Sequence, residues 1–258
     1  MNRGLRKYTE RVKIYSHYTS YKGRLFIKIL SDLFNDAAEK HTEILGIDVA
    51  TLMKEDKTWM LYSIRTRIEE MPVKGEEVVV ETWVSGIDRF LALRDFRILN
   101  REGRVLAEAA SRWMCIDIHR RRLVRLTPLI LETGRNIPPE LQAGNLPPLW
   151  ENDSIFERRA EGGRSFEATF DNIDFNGHVT QASYIRWMTN ALPFEFLKNQ
   201  VLTDIHVEYR HEIMPEHTIV SDYRTERRND RVFVYHKILP AAGGREHCVG
   251  VSCWKEAD

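Results

Sequence analysis

A chain of 258 residues with 43% apolar side chains is long enough for one large or two modest domains, each burying its own core. Its 38 basic and 38 acidic residues cancel, which excludes nucleic-acid binding through bulk positive potential and leaves only local patches to steer a charged partner. Three cysteines, Cys115, Cys248 and Cys253, are odd in number and lack C-x-x-C spacing, so neither a disulfide framework nor a metal site is expected and all three read as reduced core thiols.

In chain order, the first thirty residues are rich in Arg, Lys and Tyr, with no long apolar run and no short apolar core before a small-residue cleavage site. A cytoplasmic protein without a membrane segment is expected. After Gly23 the stripe Leu30, Leu33, Phe34, Ala37 and Ala38 has the i, i+3, i+4, i+7, i+8 spacing of an amphipathic helix that buries one face. Four runs follow, "TWMLYSIRTRIEE", "EEVVVETWVSGI", "FLALRDFRIL" and "RVLAEAASRWMCI". They are rich in β-branched and aromatic residues and are parted by turn signals such as Val-Lys-Gly and Asn-Arg-Glu-Gly, so they predict long strands. Short connections between them imply antiparallel pairing. "ETGRNIPPELQAGNLPPLW" then carries two Pro pairs, which resist both helix and central strand, and is read as a linker.

The second half repeats the order. A shift of 154 places Gly177 on Gly23 and Tyr184, Trp187, Met188, Ala191 and Leu192 on the first helix stripe. The runs "DIHVEYRHEI", "TIVSDYRTER", "RVFVYHKIL" and "HCVGVSCWK" follow, and a shift near 141 aligns Gly103, Arg104, Ser111 and Trp113 with Gly244, Arg245, Ser252 and Trp254. The expected organisation is residues 1–130 as an N-terminal domain, 131–155 as linker and 156–258 as a C-terminal domain. The fold class is α+β: a tandem, or double, hotdog in which each half is a long helix wrapped by an antiparallel sheet. Two copies in one chain make a built-in dimer, and further pairing into a homodimer stays open.

What differs between the copies is chemistry. Asp174, Asn176 and His178 surround Gly177 in "FDNIDFNGHV", whereas the same shift gives Ser20, Lys22 and Arg24 in the first half. A triplet required only to start a helix would be needed in both.

"IDFNGHVTQASYIRWM", with its Asp-x-Asn-x-His segment, "VEYRHEI", with Tyr-Arg-x-Glu, and the first-half stretches "ETWVSGIDRFLALRDFRI" and "SRWMCIDIHRRRLVRL" resemble the acyl-acyl-carrier-protein thioesterases over roughly residues 8 to 256. The resemblance implies hydrolysis of fatty acyl thioesters carried on acyl carrier protein, with Asp174, Asn176, His178 and Glu212 in the active site. No cofactor and no metal are expected. Many plant members follow the active-site Glu with Cys; this chain has Ile213. A covalent route through that position is therefore excluded, and attack by water is expected.

A thioester leaves as a thiolate with pKa around 8.5, so the enzyme must position a nucleophile and stabilise an oxyanion. Glu212 is the expected base, with Asp174 as the alternative; Asn176 and His178 would hold the water or the carbonyl. The helix start just after Gly177, with the backbone of Gly177 and His178, is the expected oxyanion cradle, although Gly177 serving only a turn is an equal reading. The first half would shape the acyl tunnel, with Trp59, Met60, Met71 and Trp83 as lining candidates against plain core packing. The acidic carrier protein would dock at Arg120, Arg121, Arg122 and Arg125, or at Arg186. Rival readings are an acyl-CoA thioesterase, a hotdog hydratase or dehydratase, and a non-catalytic acyl-thioester sensor. The hydratase pattern resembles Asp-x-Asn-x-x-His, one residue longer than the spacing here, and a sensor would lack the polar set.

Overall fold

A computed structural model describes residues 6–135, 137–142, 146–174 and 177–257. The chain divides into two compact units, Met1–Leu146 and Pro147–Asp258, each mixing helix with an antiparallel sheet.

Unit 1 runs β1 (Tyr8–Lys13), α1 (Ile27–Leu45), α2 (Val49–Met53), β2 (Lys57–Ile68), β3 (Glu77–Asp88), β4 (Leu91–Leu99), β5 (Val105–Asp117), β6 (Arg122–Leu123) and α3 (Pro128–Thr133). The strand order is β1-β3-β4-β5-β2, every pair antiparallel, with β6 beside β5. The apolar stripe of α1 is buried as its spacing requires and packs on β1 and β3. Phe34 meets Phe96 of β4, with ring centroids 4.8 Å apart. Thr82 pairs with Phe96 across the sheet, so Val78, Val80 and Thr82, all fully buried, form the face of β3 that meets α1.

Unit 2 runs β7 (Gly162–Glu167), α4 (Gln181–Ala191), α5 (Phe194–Asn199), β8 (Gln200–Tyr209), β9 (Thr218–Arg228), β10 (Arg231–Pro240) and β11 (Cys248–Glu256). Its strand order, β7-β9-β10-β11-β8, is that of unit 1, and α4 packs on β7, β9 and β10. Atomic details repeat as well. Bridges Thr19–Leu25 and Ile173–Val179 sit 154 residues apart. The Trp113 indole donates to Ser111 Oγ at 2.8 Å and the Trp254 indole to Ser252 Oγ at 2.7 Å, 141 residues on.

Two expectations are corrected. The second helix ends at Ala191 because Pro193 holds Leu192 extended, so Leu192 is buried but lies beyond the helix. Strand β8 ends at Tyr209, which leaves Glu212 in the connection to β9 rather than on a strand. Residues just before the Pro-rich stretch and at its end make specific contacts within their own units. Pro128 lies in the first turn of α3, where its missing N–H costs nothing, and Ile130 joins the core with Ile47 and Leu52. On the other side, Leu149 N–H donates to His206 Nδ1 at 3.2 Å and Trp150 meets Phe156 edge-on. Each sheet also opens with a short edge strand before its helix, β1 and β7, which the sequence reading passed over.

Candidate active site

The segment between β7 and α4 folds into one tight loop. A 3-10 turn, Phe170–Asn172, is fixed by Thr169 and the buried Asn172, whose amide oxygen accepts the Thr169 N–H at 3.0 Å. Next comes a turn closed three times: Asp174 N–H donates to the His178 carbonyl at 2.8 Å, Gly177 N–H to the Asp174 carbonyl at 3.0 Å, and His178 N–H to Asp174 Oδ1 at 3.0 Å. Gly177 sits at φ +79°, where L side chains are strained, yet an added Cβ would meet nothing within 4 Å. The glycine thus serves backbone conformation rather than space. Asn176 lies outside the described residues.

These bonds correct the expected oxyanion cradle. The N–H groups of Gly177 and His178 both donate inside the turn, and α4 begins at Gln181, after Thr180 as N-cap. Of the first-turn amides of α4, that of Ser183 donates to the Thr180 carbonyl at 2.9 Å.

Glu212 is positioned from the other side. Tyr184, buried on α4, accepts the N–H of Ile213 at 3.2 Å, and Ile213 is itself 1% exposed. Tyr209 at the end of β8 donates to the Gln181 carbonyl at 3.2 Å, and the two phenol rings meet edge-on at 5.2 Å. Burial pushes both phenols well above their ordinary range, so both stay protonated. Arg210 ion-pairs with Glu208, Glu246 and Asp153, pinning the same segment. The result brings His178 Nε2 to 3.7 Å from Glu212 Oε1, with both side chains about one-third exposed, at 35% and 31%. That separation is longer than a direct hydrogen bond. Tyr184, Tyr209 and Arg210 were missed as supporting residues; a Tyr-Arg pair directly before the Glu segment was the available signal.

Unit 1 makes the same loop with different side chains. Ser20 N–H donates to the Arg24 carbonyl at 2.9 Å, Gly23 N–H to Ser20 at 2.8 Å, and Ser20 Oγ accepts the Lys22 N–H at 3.3 Å. Part of Asp174's role, closing the turn, is therefore shared with Ser20. The side chains differ elsewhere: Arg24 stands where unit 2 has His178. Ile68 pairs with Ala107 as Tyr209 pairs with Cys248, both 141 apart, so Met71 stands where unit 2 has Glu212.

All three cysteines are free and buried, and burial pushes the Cys115 and Cys248 thiols up.

The four expected tunnel residues do not share a wall. Trp59 donates its indole N–H to the Ile47 carbonyl at 2.8 Å and packs on the Leu52–Cys115–Ile130 core. Met60, next along β2, points to the opposite face. Trp83 alternates with Thr82 and so faces away from α1, under the Arg97 guanidinium. Met71 is buried after the end of β2. Among the docking candidates, Arg120, Arg121, Arg122 and Arg125 are exposed around the turn into β6, whereas Arg186 is half-buried on α4 with its guanidinium 4.0 Å from Asp171.

Comparison with known proteins decides the kinship. Residues 5–133 match the model of the acyl-ACP thioesterase N-terminal domain and residues 157–256 that of the C-terminal domain. The chain belongs to the acyl-ACP thioesterase family. Among curated relatives, a chloroplastic acyl-[acyl-carrier-protein] hydrolase of Cuphea viscosissima is 23% identical over 89% of this chain and 58% of its own length. A chloroplastic palmitoyl-acyl carrier protein thioesterase of Gossypium hirsutum is 26% identical over 79% of this chain and 51% of its own. The chain thus spans about half the length of the curated relatives it matches. Two solved structures share the fold. An acyl-ACP thioesterase from Bacteroides thetaiotaomicron aligns with TM-score 0.80 at 21% identity, over 99% of this chain and 100% of its own. The 12:0-ACP thioesterase from Umbellularia californica aligns at 0.84 and 18%, over 97% and 94%. Among the described residues, no helix is long and apolar enough to cross a membrane.

Proposed function

We propose that this acyl-ACP thioesterase family member hydrolyses fatty acyl thioesters of acyl carrier protein to free fatty acid and carrier thiol. Each unit would be one hotdog, unit 2 catalytic and unit 1 shaping the acyl site, in a cytoplasmic enzyme without cofactor. The observation that carries the reading is the approach of His178 Nε2 to Glu212 Oε1, 3.7 Å, in a unit whose sister copy has Arg24 and Met71 at those places.

Glu212 is the base that takes a proton from water while His178 holds that water or the thioester. Asp174 is favoured as a positioning residue rather than the base, because its carboxylate already accepts the His178 N–H and keeps the imidazole-bearing turn closed. Water attacks the thioester carbonyl, the C–S bond breaks, and the thiolate leaves without needing an acid of its own. Negative charge on the carbonyl oxygen is met by the positive end of α4 and, from the sequence, by the Asn176 amide. Ile213 in place of a thiol and the buried cysteines favour this water route over an acyl-enzyme.

Free-thiol release measured in parallel from acyl-carrier-protein, acyl-CoA and enoyl-thioester substrates tests the reading. Turnover of acyl carrier protein at least about tenfold above acyl-CoA is expected. Hydration of the enoyl substrate without thiol release, or binding without turnover, would contradict it.

A further inference from the structure

Arg94 on β4 lies on the sheet face that meets α1 and is 5% exposed. Its Nη1 donates to His41 Nδ1 on α1 and to Thr82 Oγ1 on β3, each at 3.0 Å. Guanidinium carries no acceptor, so His41 Nδ1 must accept and its ring proton sits on the other nitrogen. Burial lowers Arg94 to about 10, which still leaves it cationic at neutral pH. Among the described residues no carboxylate pairs with it, and its Nε and Nη2 make no hydrogen bond.

An unpaired buried cation is costly, and this chain shows the usual remedy elsewhere: Arg210 is met by three carboxylates. The fold does not demand an arginine at this place. Arg94 pairs with Ser111 as Val234 pairs with Ser252, so unit 2 fills the equivalent position with valine. The neighbourhood is otherwise apolar, with Phe96 two residues along the same face and the buried Phe34, Ala37 and Ala38 on α1. One cationic fork in an apolar setting suits a monoanionic, planar group on a hydrocarbon chain better than a dianionic phosphate.

We propose that Arg94, its fork oriented by His41 and Thr82, forms a binding site in unit 1 for a carboxylate carried on an aliphatic chain. The carboxylate has two chemical sources, a free fatty acid or the far end of a dicarboxylic acyl thioester. The site is independent of the hydrolytic reading, since binding is measured without turnover.

Isothermal titration of the full chain with decanoate and with 1-decanol tests the proposal. Decanoate should bind wild type at least tenfold more tightly than decanol; Arg94→Met should abolish that preference and Arg94→Lys, which keeps charge but loses the fork, should reduce it. Equal affinities in wild type, or an unchanged preference in a folded Arg94→Met, would overturn the site; if Arg94→Met does not fold, the wild-type ratio and Arg94→Lys decide. A second arm compares thioesters of decanoic acid and of decanedioic acid. Faster turnover of the diacid thioester, lost in the Arg94 variants, identifies the acyl terminus as the source; decanoate preference without it identifies the free acid. A chain inert toward every thioester would defeat the hydrolytic reading and leave the titration standing.

Discussion

The phenol of Tyr184 accepts the backbone N–H of Ile213 at 3.2 Å, so the helix that follows the His178 turn also holds the residue after Glu212. One side chain thereby ties together the two segments that carry the candidate acid–base pair. Tyr184→Phe leaves the buried Ile213 N–H without its acceptor, at a cost of about 1–3 kcal/mol. A fall in Tm of several degrees by calorimetry is expected, with a drop in kcat larger than any change in KM. An unchanged Tm and kcat would show that the hydrogen bond positions nothing.

Gly177 at φ +79° has room for a side chain but not the backbone freedom for a branched one. Gly177→Val should cost on the order of 1–3 kcal/mol through strain and displace His178 enough to lower turnover by about a hundredfold. Gly177→Asn, which tolerates the left-handed region, should keep most activity. Equal losses in the two variants, read by thiol release and melting, would point instead to an acyl group packing against the glycine itself.

Acid should destabilise unit 2 through His236. Burial lowers this imidazole to about 3 from an ordinary 6.5. Above pH 6.5 neither state is protonated and the group is silent. As pH falls below 6.5 the unfolded chain takes up a proton that the folded chain refuses, so stability is lost down to about pH 3, at up to about 1.4 kcal/mol per pH unit. Phe96 pairs with Ala109 as His236 pairs with Gly250, 141 residues apart for the partners, which makes His236→Phe the natural substitution. Urea midpoints between pH 7 and 4 should fall less steeply in that variant than in wild type.

Water attack predicts indifference to thiol chemistry. With Cys115, Cys248 and Cys253 buried and two of the thiols pushed up, alkylating reagents at neutral pH should leave thioester hydrolysis within about twofold of the untreated rate. Rapid inactivation that follows thiol modification would restore a covalent route.

Much of this was legible before any coordinates. The helix stripe from Leu30 to Ala38 follows from periodicity, because burying one face imposes a regular pattern, and the eight long strands follow from β-branched and aromatic runs parted by turn signals. The internal repeat was readable from Gly23 and Gly177 and from the paired Ser-x-Trp segments, since both copies close the same turn and make the same indole–hydroxyl bond. What stayed hidden depends on tertiary contact. Strands β1 and β7 are short, polar edge strands, whose pattern differs little from a loop. Pro193 cut the second helix one residue before its apolar stripe ended. That the amides of Gly177 and His178 are occupied follows from a turn whose hydrogen bonds no spacing rule shows. Arg94 carried no signal at all, because "LRDF" reads as an ordinary strand with an outward charge until α1 is folded over it.

The most direct test is kinetic. Glu212→Gln keeps the shape of the side chain and removes its basicity, so kcat for acyl-carrier-protein hydrolysis should fall at least about a hundredfold at pH 7 while Tm stays within about two degrees of wild type. A Glu212→Gln enzyme that keeps wild-type kcat would contradict the pairing of Glu212 with His178 as the catalytic centre.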